Sequence, residues 1–132
     1  MRPFHLEIVT PDGVSFEGEC ESLLVRTDDG DVEILAGHAD LIATVAVGRV
    51  RLLSGGETRF AAASGGFLSV SKDGVRLVTT TFEFSEDIDL ARAEAAKEKA
   101  EAKLLNAKND RDVLVLKAKL ARAISRINVA GK

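Results

Sequence analysis

Hydrophobic residues alternate with polar ones in short segments through the first part of the chain, and their spacing then changes to three and four residues. Phe4, Leu6 and Ile8 occupy every second position, and the sequence Pro-Asp-Gly at 11–13 supplies a turn. Gly- and Asp-containing turns recur about every 8–12 residues, which is typical of an antiparallel sandwich or barrel. We therefore predict β-structure over residues 1–84, with strands in segments 4–9, 14–17, 23–27, 32–35, 50–52, 59–63, 68–70 and 75–77.

The second part of the chain has the spacing of two amphipathic helices. Neither Gly nor Pro occurs from residue 88 to residue 130. Apolar residues recur at positions 93, 96, 100, 104 and 107, and again at 113, 116, 120, 124 and 127. The segment 106–112 between them is polar and turn-prone, so residues 85–132 are predicted to form an antiparallel hairpin. The predicted fold class is β + α, an N-terminal antiparallel β-sandwich followed by a C-terminal two-helix hairpin.

Alanine dominates the face that the first predicted helix would bury. Small side chains let two helices approach closely, but a buried Ala contributes much less than the roughly 1.5–3 kcal/mol of a buried Leu or Ile. This pattern has two interpretations. The hairpin is either a detachable element or a permanently docked layer with a thin core.

Charge is divided unevenly over a chain whose net charge is −3. Residues 1–84 carry 13 acids and 7 bases, whereas residues 85–132 carry 8 acids and 11 bases. From Val113 onward there are bases and no acid, and Lys119, Arg122 and Arg126 form a stripe at three- and four-residue spacing. This stripe is either a solvated helix face or a surface for an acidic partner or phosphate ligand. The overall acidity argues against nucleic acid as a partner.

The sequence contains no recognisable catalytic or metal-binding pattern. Cys20 is the single cysteine and falls in a strand-like segment, where a buried, inert thiol is expected. His5 and His38 are far apart, so no zinc-ligand spacing exists. Neither glycine-rich phosphate loop is present, and Ser-Gly-Gly at 64–66 is interpreted as a tight turn. We therefore predict a protein that is not an enzyme and that binds no metal.

Four motifs along the chain carry a resemblance to one known family. They are Phe-His-Leu-Glu-Ile-Val-Thr-Pro at 4–11, Gly-His-Ala at 37–39, Ser-Gly-Gly-Phe at 64–67 and Ile-Asp-Leu-Ala-Arg-Ala at 88–93. They resemble, in this order, the first strand and turn, the Gly-His loop, the Gly-Gly turn and the start of the first C-terminal helix in the epsilon subunits of bacterial F-type ATP synthases. The match at 88–93 is the most specific. The sequence departs from the family pattern at Ala36 and Asp40, where proline is usual.

The resemblance implies a non-catalytic central-stalk subunit that couples rotation in a proton-translocating ATP synthase. The sandwich would bind the gamma subunit and the membrane c-ring, with Asp31 and His38 at the ring; an ordinary loop histidine is the alternative for His38. The hairpin would alternate between a compact and an extended state, and the extended state would inhibit ATP hydrolysis. The chain would reach the cytoplasmic face of the bacterial cell membrane only through the complex, as a peripheral protein. Contact with the catalytic beta subunits would use Lys117, Lys119, Arg122 and Arg126.

Some members of this family bind ATP as a regulatory ligand that stabilises the compact state. Arginine forks donate to phosphate oxygens, and carboxylates accept from an adenine amino group or orient the arginines. In the other interpretation Asp89 and Arg92 form structural ion pairs and bind no nucleotide. A stand-alone ATP-sensing adaptor of the same fold is the alternative to a stalk subunit. The positions that match the family's ATP site are Glu83, Ile88, Asp89, Arg92, Ala93, Arg122 and Arg126.

Overall fold

The computed structural model describes residues 2–132, in which eight strands precede two α-helices. The predicted fold class, a β-sandwich followed by a helical hairpin, is confirmed. A short 3-10 turn, Ser85–Asp87, connects the two parts. The strands are β1 (Phe4–Thr10), β2 (Gly13–Cys20), β3 (Ser22–Thr27), β4 (Gly30–Ile34), β5 (Leu41–Thr44), β6 (Gly48–Ser54), β7 (Glu57–Ser71) and β8 (Gly74–Phe84), and the helices are α1 (Leu90–Leu105) and α2 (Asp110–Val129).

The strands hydrogen-bond in the order β2-β1-β8-β7-β6-β3-β4, and β5 pairs with β7. Among the described strands, β1 and β8 run parallel, with Leu6 opposite Val75, whereas the other pairs are antiparallel. The antiparallel prediction is therefore right for the sheet except at this pair. β5 is a strand that the alternation did not predict.

β7 is a strand of 15 residues that connects the parts of the sheet. One edge pairs with β8, and the other edge pairs first with β6 and then with β5. Gly65 and Gly66 lie between these two halves with φ of 71° and 101°. A Cβ on Gly66 would lie 1.8 Å from the carbonyl oxygen of Val78. The predicted tight turn at 64–66 is therefore wrong, because the glycines provide a left-handed backbone and close approach within a continuous strand.

Aliphatic side chains fill the core of the sandwich, and Leu6, Ile8 and Leu23 have no exposed surface. Cys20 is equally buried, and its Sγ donates to the carbonyl oxygen of Ser22 at 3.1 Å. Burial raises the pKa of the Cys20 thiol to about 11. The structure confirms the buried thiol, which stays protonated and therefore unreactive at neutral pH.

Side-chain caps start both helices. The Asp89 Oδ1 atom accepts from the backbone N–H of Arg92 at 3.1 Å, and the Asn109 Oδ1 atom accepts from the backbone N–H of Asp112 at 2.9 Å. Such caps satisfy N–H groups that have no partner within the helix. Because Asn109 caps α2, the turn between the helices is shorter than the predicted segment 106–112.

Small residues line the α1 side of the seam between the helices, as the sequence predicts for this helix. Ala93 and Ala100 are the buried residues of α1. In α2, Ala123 is 1% exposed, whereas Ile124, which the spacing places on the packing face, is 38% exposed. Such a seam buries little apolar area per residue, so it stabilises the hairpin only weakly.

The hairpin docks on the sandwich through α2, which packs against β6 and β7. Val129, the last residue of α2, is 1% exposed. The hydroxyl of Ser85 donates to the carbonyl oxygen of Lys132 at 3.1 Å. The end of α2 and the beginning of the hairpin are therefore held together against the sandwich.

Candidate functional site

A cleft lies where β8, the 3-10 turn and both helices meet, and we call it the junction cleft. Its volume is about 430 Å³, within the roughly 300–1,000 Å³ of small-molecule sites. Five of the seven residues predicted for ATP line it. The complete lining is Glu83 from β8, Asp87 and Asp89 before α1, Arg92, Ala93 and Ala96 from α1, and Arg126 from α2.

The other two predicted residues, Ile88 and Arg122, are outside this wall. Ile88 is half-buried before α1, and its backbone N–H donates to the carbonyl oxygen of Ser85 at 3.3 Å. Arg122 lies one helical turn before Arg126 and lines two adjoining clefts together with it. The structure therefore places Arg122 next to the junction cleft but not in it.

An ion pair between Glu83 and Arg126 joins the sandwich to the hairpin. The Arg126 Nε atom donates to the Glu83 Oε1 atom at 3.0 Å, and the two side chains are 32% and 39% exposed for Arg126 and Glu83 respectively. A pair this exposed contributes on the order of 1 kcal/mol or less. The pair matters mainly for ligand binding, because an anion that binds Arg126 must compete with the Glu83 carboxylate.

Asp89 and Arg92 are connected through the backbone. The Asp89 carboxylate caps α1 by accepting from the Arg92 backbone N–H. Among residues 2–132 the Arg92 guanidinium has no ion-pair partner, and its side chain is exposed. Asp89 therefore has a structural role, whereas the Arg92 side chain remains available to a ligand.

The charges of the junction cleft do not by themselves favour a polyanion. Three carboxylates, Glu83, Asp87 and Asp89, stand against two guanidinium groups, so the lining has a net charge of −1 at neutral pH. A ligand with an anionic part and a neutral hydrogen-bond donor would fit best if the anionic part lay towards the arginines of α2.

The four basic residues predicted to contact a beta subunit do not share one surface here. Lys117 and Lys119 are exposed, whereas Arg122 and Arg126 are half-buried. Lys119, Arg122 and Arg126 line a groove between the two helices, and Lys117 is not part of its wall. In this docked arrangement the Arg126 guanidinium already forms an ion pair with Glu83.

The two residues predicted at the c-ring lie near opposite ends of β4. Asp31 is at its beginning, where it accepts from the Nε atom of Arg26 at 2.7 Å and lines a cleft between the sandwich and α2. His38 follows the far end of β4, and its Nδ1 atom is 2.7 Å from the carbonyl oxygen of Ala39. The structure therefore does not bring Asp31 and His38 together.

Arg59 anchors the junction, and the sequence did not indicate it. Its guanidinium lies over the Phe84 ring at 3.6 Å and donates to the Glu86 Oε1 atom at 2.6 Å. The hydrogen bond from Arg59 lowers the pKa of Glu86. This contact connects the 3-10 turn to β7.

None of the helices within residues 2–132 combines the length and hydrophobicity needed to cross a bilayer.

Both parts of the chain match described families. Residues 3–85 match the family described as ATP synthase, Delta/Epsilon chain, beta-sandwich domain, and residues 86–131 match ATP synthase, Delta/Epsilon chain, long alpha-helix domain. The chain belongs to the ATP synthase delta/epsilon chain family.

Within that family the chain is similar to bacterial ATP synthase epsilon chains. It is 41% identical to that of Bacillus velezensis over 99% of each chain, and 39% identical to that of Bacillus subtilis over 100% of each. Two solved structures share the fold. A chain of the Euglena gracilis mitochondrial ATP synthase has a TM-score of 0.81 and 24% identity, covering 93% of this chain and 78% of that one. A chain of the Tetrahymena thermophila mitochondrial ATP synthase central stalk and c-ring has a TM-score of 0.66 and 9% identity, covering 94% and 93%.

Proposed function

We propose that this chain is a non-catalytic central-stalk subunit of a bacterial, proton-translocating F-type ATP synthase. The full-length similarity to bacterial epsilon chains and the shared fold support this role. The sandwich binds the gamma subunit and the c-ring and helps to couple rotation to ATP synthesis. The complex holds the chain as a peripheral protein at the cytoplasmic face of the cell membrane.

The surface proposed for the c-ring is the end of the sandwich that carries the His38 loop. Leu35 and Ile42 flank this loop and are 42% and 79% exposed. Exposed apolar side chains beside a polar loop are a common feature of protein contacts. Asp31 lies near the hairpin instead, so we assign the ring contact first to His38 and its neighbours.

The hairpin is proposed to be a regulatory element that ATP holds in the docked state. The observation that carries this proposal is the composition of the junction cleft, which takes Glu83 from the sandwich and Arg126 from α2. The complete cleft exists only while the hairpin is docked. A ligand that binds there and is present at a free concentration of 100 times its dissociation constant stabilises the docked state by about 2.7 kcal/mol. This shifts a balanced equilibrium between the docked and extended states almost fully to the docked state.

The residues of the junction suit a nucleotide that is oriented by its charge. Arg92, Arg122 and Arg126 can bind phosphate oxygens through their guanidinium forks. Glu83 can accept from the adenine amino group, and so can the second carboxylate oxygen of Asp89, because the cap of α1 uses only its Oδ1 atom. Binding that draws Arg126 towards phosphate frees Glu83 to make that second contact, so one rearrangement serves both parts of the ligand.

When ATP is scarce, the hairpin extends and inhibits ATP hydrolysis. Two features favour release of the hairpin. The alanine seam stabilises the packing of α1 on α2 only weakly, and the hairpin packs on the sandwich mainly through α2. In the extended state the acid-free part of α2 reaches the catalytic beta subunits. The contact residues are Lys117, Lys119, Arg122 and Arg126.

Calorimetric titration of the full chain with ATP tests the nucleotide site. Arg92→Ala removes an exposed guanidinium that lines the cleft, and Arg111→Ala is a matched control because Arg111 is exposed near the start of α2 and does not line the cleft. A hydrogen bond to a charged group contributes about 1.5–3 kcal/mol, so Arg92→Ala should weaken binding by about 10- to 100-fold. Equal affinity of the two variants, or no saturable binding by the unmodified chain at millimolar ATP, would contradict the nucleotide site and leave the stalk role in place.

Reconstitution tests the role in the motor. Deleting residues 88–132 should raise ATP hydrolysis by the reconstituted complex without preventing its assembly, because the sandwich retains its own core. Unchanged hydrolysis would contradict the inhibitory role. Copurification with the gamma subunit separates a stalk subunit from a stand-alone ATP-sensing adaptor, which would not form that complex.

A further inference from the structure

A large cleft lies between the sandwich and α2, and we call it the sandwich–α2 cleft. Its volume is about 680 Å³, within the roughly 300–1,000 Å³ of small-molecule sites. One wall consists of residues from β3, β4 and β6 and from the segment before β6, and the other consists of the second half of α2. It shares no lining residue with the junction cleft, so the two clefts are separate sites.

Apolar side chains from both walls line the sandwich–α2 cleft. Leu24 and Val47 come from the sandwich, and Ile124 and Val129 come from α2. Helical spacing places Ile124 on the packing face, yet it is 38% exposed, because it borders this open space. The cleft therefore offers an apolar surface from which a hydrocarbon chain can displace water.

The charged side chains of this cleft are three bases and one acid, so their net charge is +2 at neutral pH. The Arg26 Nε atom donates to the Asp31 Oδ1 atom at 2.7 Å, and these two charges compensate each other. The other two bases, Arg49 and Lys132, form no ion pair within residues 2–132. The cleft can therefore balance one negative charge without breaking an existing ion pair.

Two polar groups of the cleft can donate to an anion. The Arg49 guanidinium lies 5.3 Å from the centre of the Phe60 ring, a contact that uses its flat face and leaves the N–H groups at its edge for a ligand. The Ser125 Oγ atom is buried and has no hydrogen-bond partner in the described part of the chain. A buried hydroxyl without a partner is unfavourable, so a ligand oxygen that accepts from Ser125 would gain affinity.

We propose that the sandwich–α2 cleft binds a free carboxylic acid with a medium-length hydrocarbon chain. The hydrocarbon chain lies against Ile124 and Val129, and the carboxylate accepts from Arg49, with Ser125 as a second donor. The part of α2 that lines the cleft, from Ala121 to Val129, spans roughly 12 Å of helix axis, which an extended chain of about ten carbon atoms can cover.

Other ligand classes fit this cleft less well. A polyanion would place several negative charges beside apolar side chains and only two uncompensated bases. A cationic amphiphile would meet a net positive charge. A membrane lipid would have to leave the bilayer completely, because the apolar and the basic groups both lie between α2 and the sandwich.

This ligand site does not rest on the proposed nucleotide site. Because one wall belongs to the sandwich and the other to α2, the complete cleft exists only while the hairpin is docked. A ligand that binds only the docked state shifts the equilibrium towards that state. The hairpin would therefore respond to a carboxylic acid independently of ATP.

Calorimetric titration of the full chain with decanoate, at concentrations below micelle formation, tests the charged part of the site. Arg49→Gln should weaken binding by at least about tenfold, because a charge-assisted hydrogen bond is lost. Arg49→Lys keeps the positive charge and should retain most of the affinity. The matched control Arg111→Gln removes an exposed guanidinium outside the cleft and should leave the affinity unchanged. Since Arg49 belongs to the sandwich and forms no ion pair with α2, its replacement leaves the hairpin docked.

The apolar part of the site is tested by Ile124→Ala. This variant should weaken decanoate binding by about tenfold, because apolar contact area is lost. Val115→Ala is the matched control, since Val115 lies on the same helix, is 48% exposed and does not line the cleft. In methyl nuclear magnetic resonance spectra, decanoate should shift the signals of Val47 and Val129 but not that of Val14, which is exposed on β2.

Ligands with the same hydrocarbon chain separate the proposal from unspecific apolar binding. Decanol and decyltrimethylammonium lack the negative charge, so both should bind at least about tenfold more weakly than decanoate. Equal binding of the three ligands, no saturable binding of decanoate, or equal weakening in the control variants would overturn the proposal. Binding to phosphatidylglycerol vesicles without binding of free decanoate would also overturn it, because the chain would then recognise a membrane surface.

Discussion

Replacing Val129 with alanine should release the hairpin from the sandwich while leaving both parts folded. Val129 is 1% exposed and lies in the cleft between α2 and the sandwich. Removing two methyl groups costs about 0.8 kcal/mol each, or about 1.6 kcal/mol before any cavity contribution. At tenfold for every 1.4 kcal/mol, the ratio of released to docked hairpin should rise by about 14-fold. Because alanine has the higher helix propensity, α2 itself should persist.

Pulsed electron paramagnetic resonance measures this release directly. Spin labels on Lys72→Cys in the sandwich and Lys108→Cys at the hairpin turn report one distance when the hairpin is docked and additional distances when it is released. The native Cys20 can remain because it is buried and resists labelling. Val115→Ala is the matched control, since Val115 is on the same helix and 48% exposed. Identical distance distributions for the two alanine variants would refute the assignment of Val129 as a docking residue.

Three further predictions concern the sandwich and the junction. Because the pKa of Cys20 is raised from 9.0 to about 11, the free energy of unfolding should fall by about 1.4 kcal/mol per pH unit across that interval, and thermal unfolding of Cys20→Ala should show a smaller fall. Gly66→Ala should prevent folding, since its Cβ would lie 1.8 Å from a carbonyl oxygen of β8, whereas Gly18→Ala, with no contact closer than 3.7 Å, should fold with a normal circular dichroism spectrum. The hydrogen bond from Arg59 lowers the pKa of Glu86 from 4.5. The pair therefore stabilises the fold fully above pH 4.5, and this stabilisation is lost as the pH falls through the folded-state pKa. Thermal melts of Glu86→Gln should show a smaller loss of stability on acidification.

The sequence predicts those elements of the fold that depend on local spacing. Alternation indicates most of the strands, and the change to helical spacing indicates the hairpin. β5 was missed because Leu-Ile-Ala-Thr at 41–44 continues into Val-Ala-Val, an apolar run without alternation. The parallel pairing of β1 with β8 could not be predicted, since it joins distant segments whose local patterns do not identify their partners.

The candidate site was predictable as a set of residues but not as an arrangement. The resemblance supplies Glu83 and Arg126, but their ion pair spans 43 positions and depends on where the hairpin docks. The Arg59 contact with Glu86 is equally non-local.

The parallel pairing of β1 with β8 has a consequence for the order in which the chain folds. β7 and β8 form a hairpin with a short turn, Ser71 opposite Gly74, so their contacts are local and can form early. β1 is synthesised first, but its place beside β8 does not exist until residues 75–78 have emerged from the ribosome. β1 can pair with β2 at once, but its other edge stays unpaired until β8 is available. The helical hairpin follows β8 immediately in the chain. The sandwich is completed only as the segment that will dock on it is being synthesised.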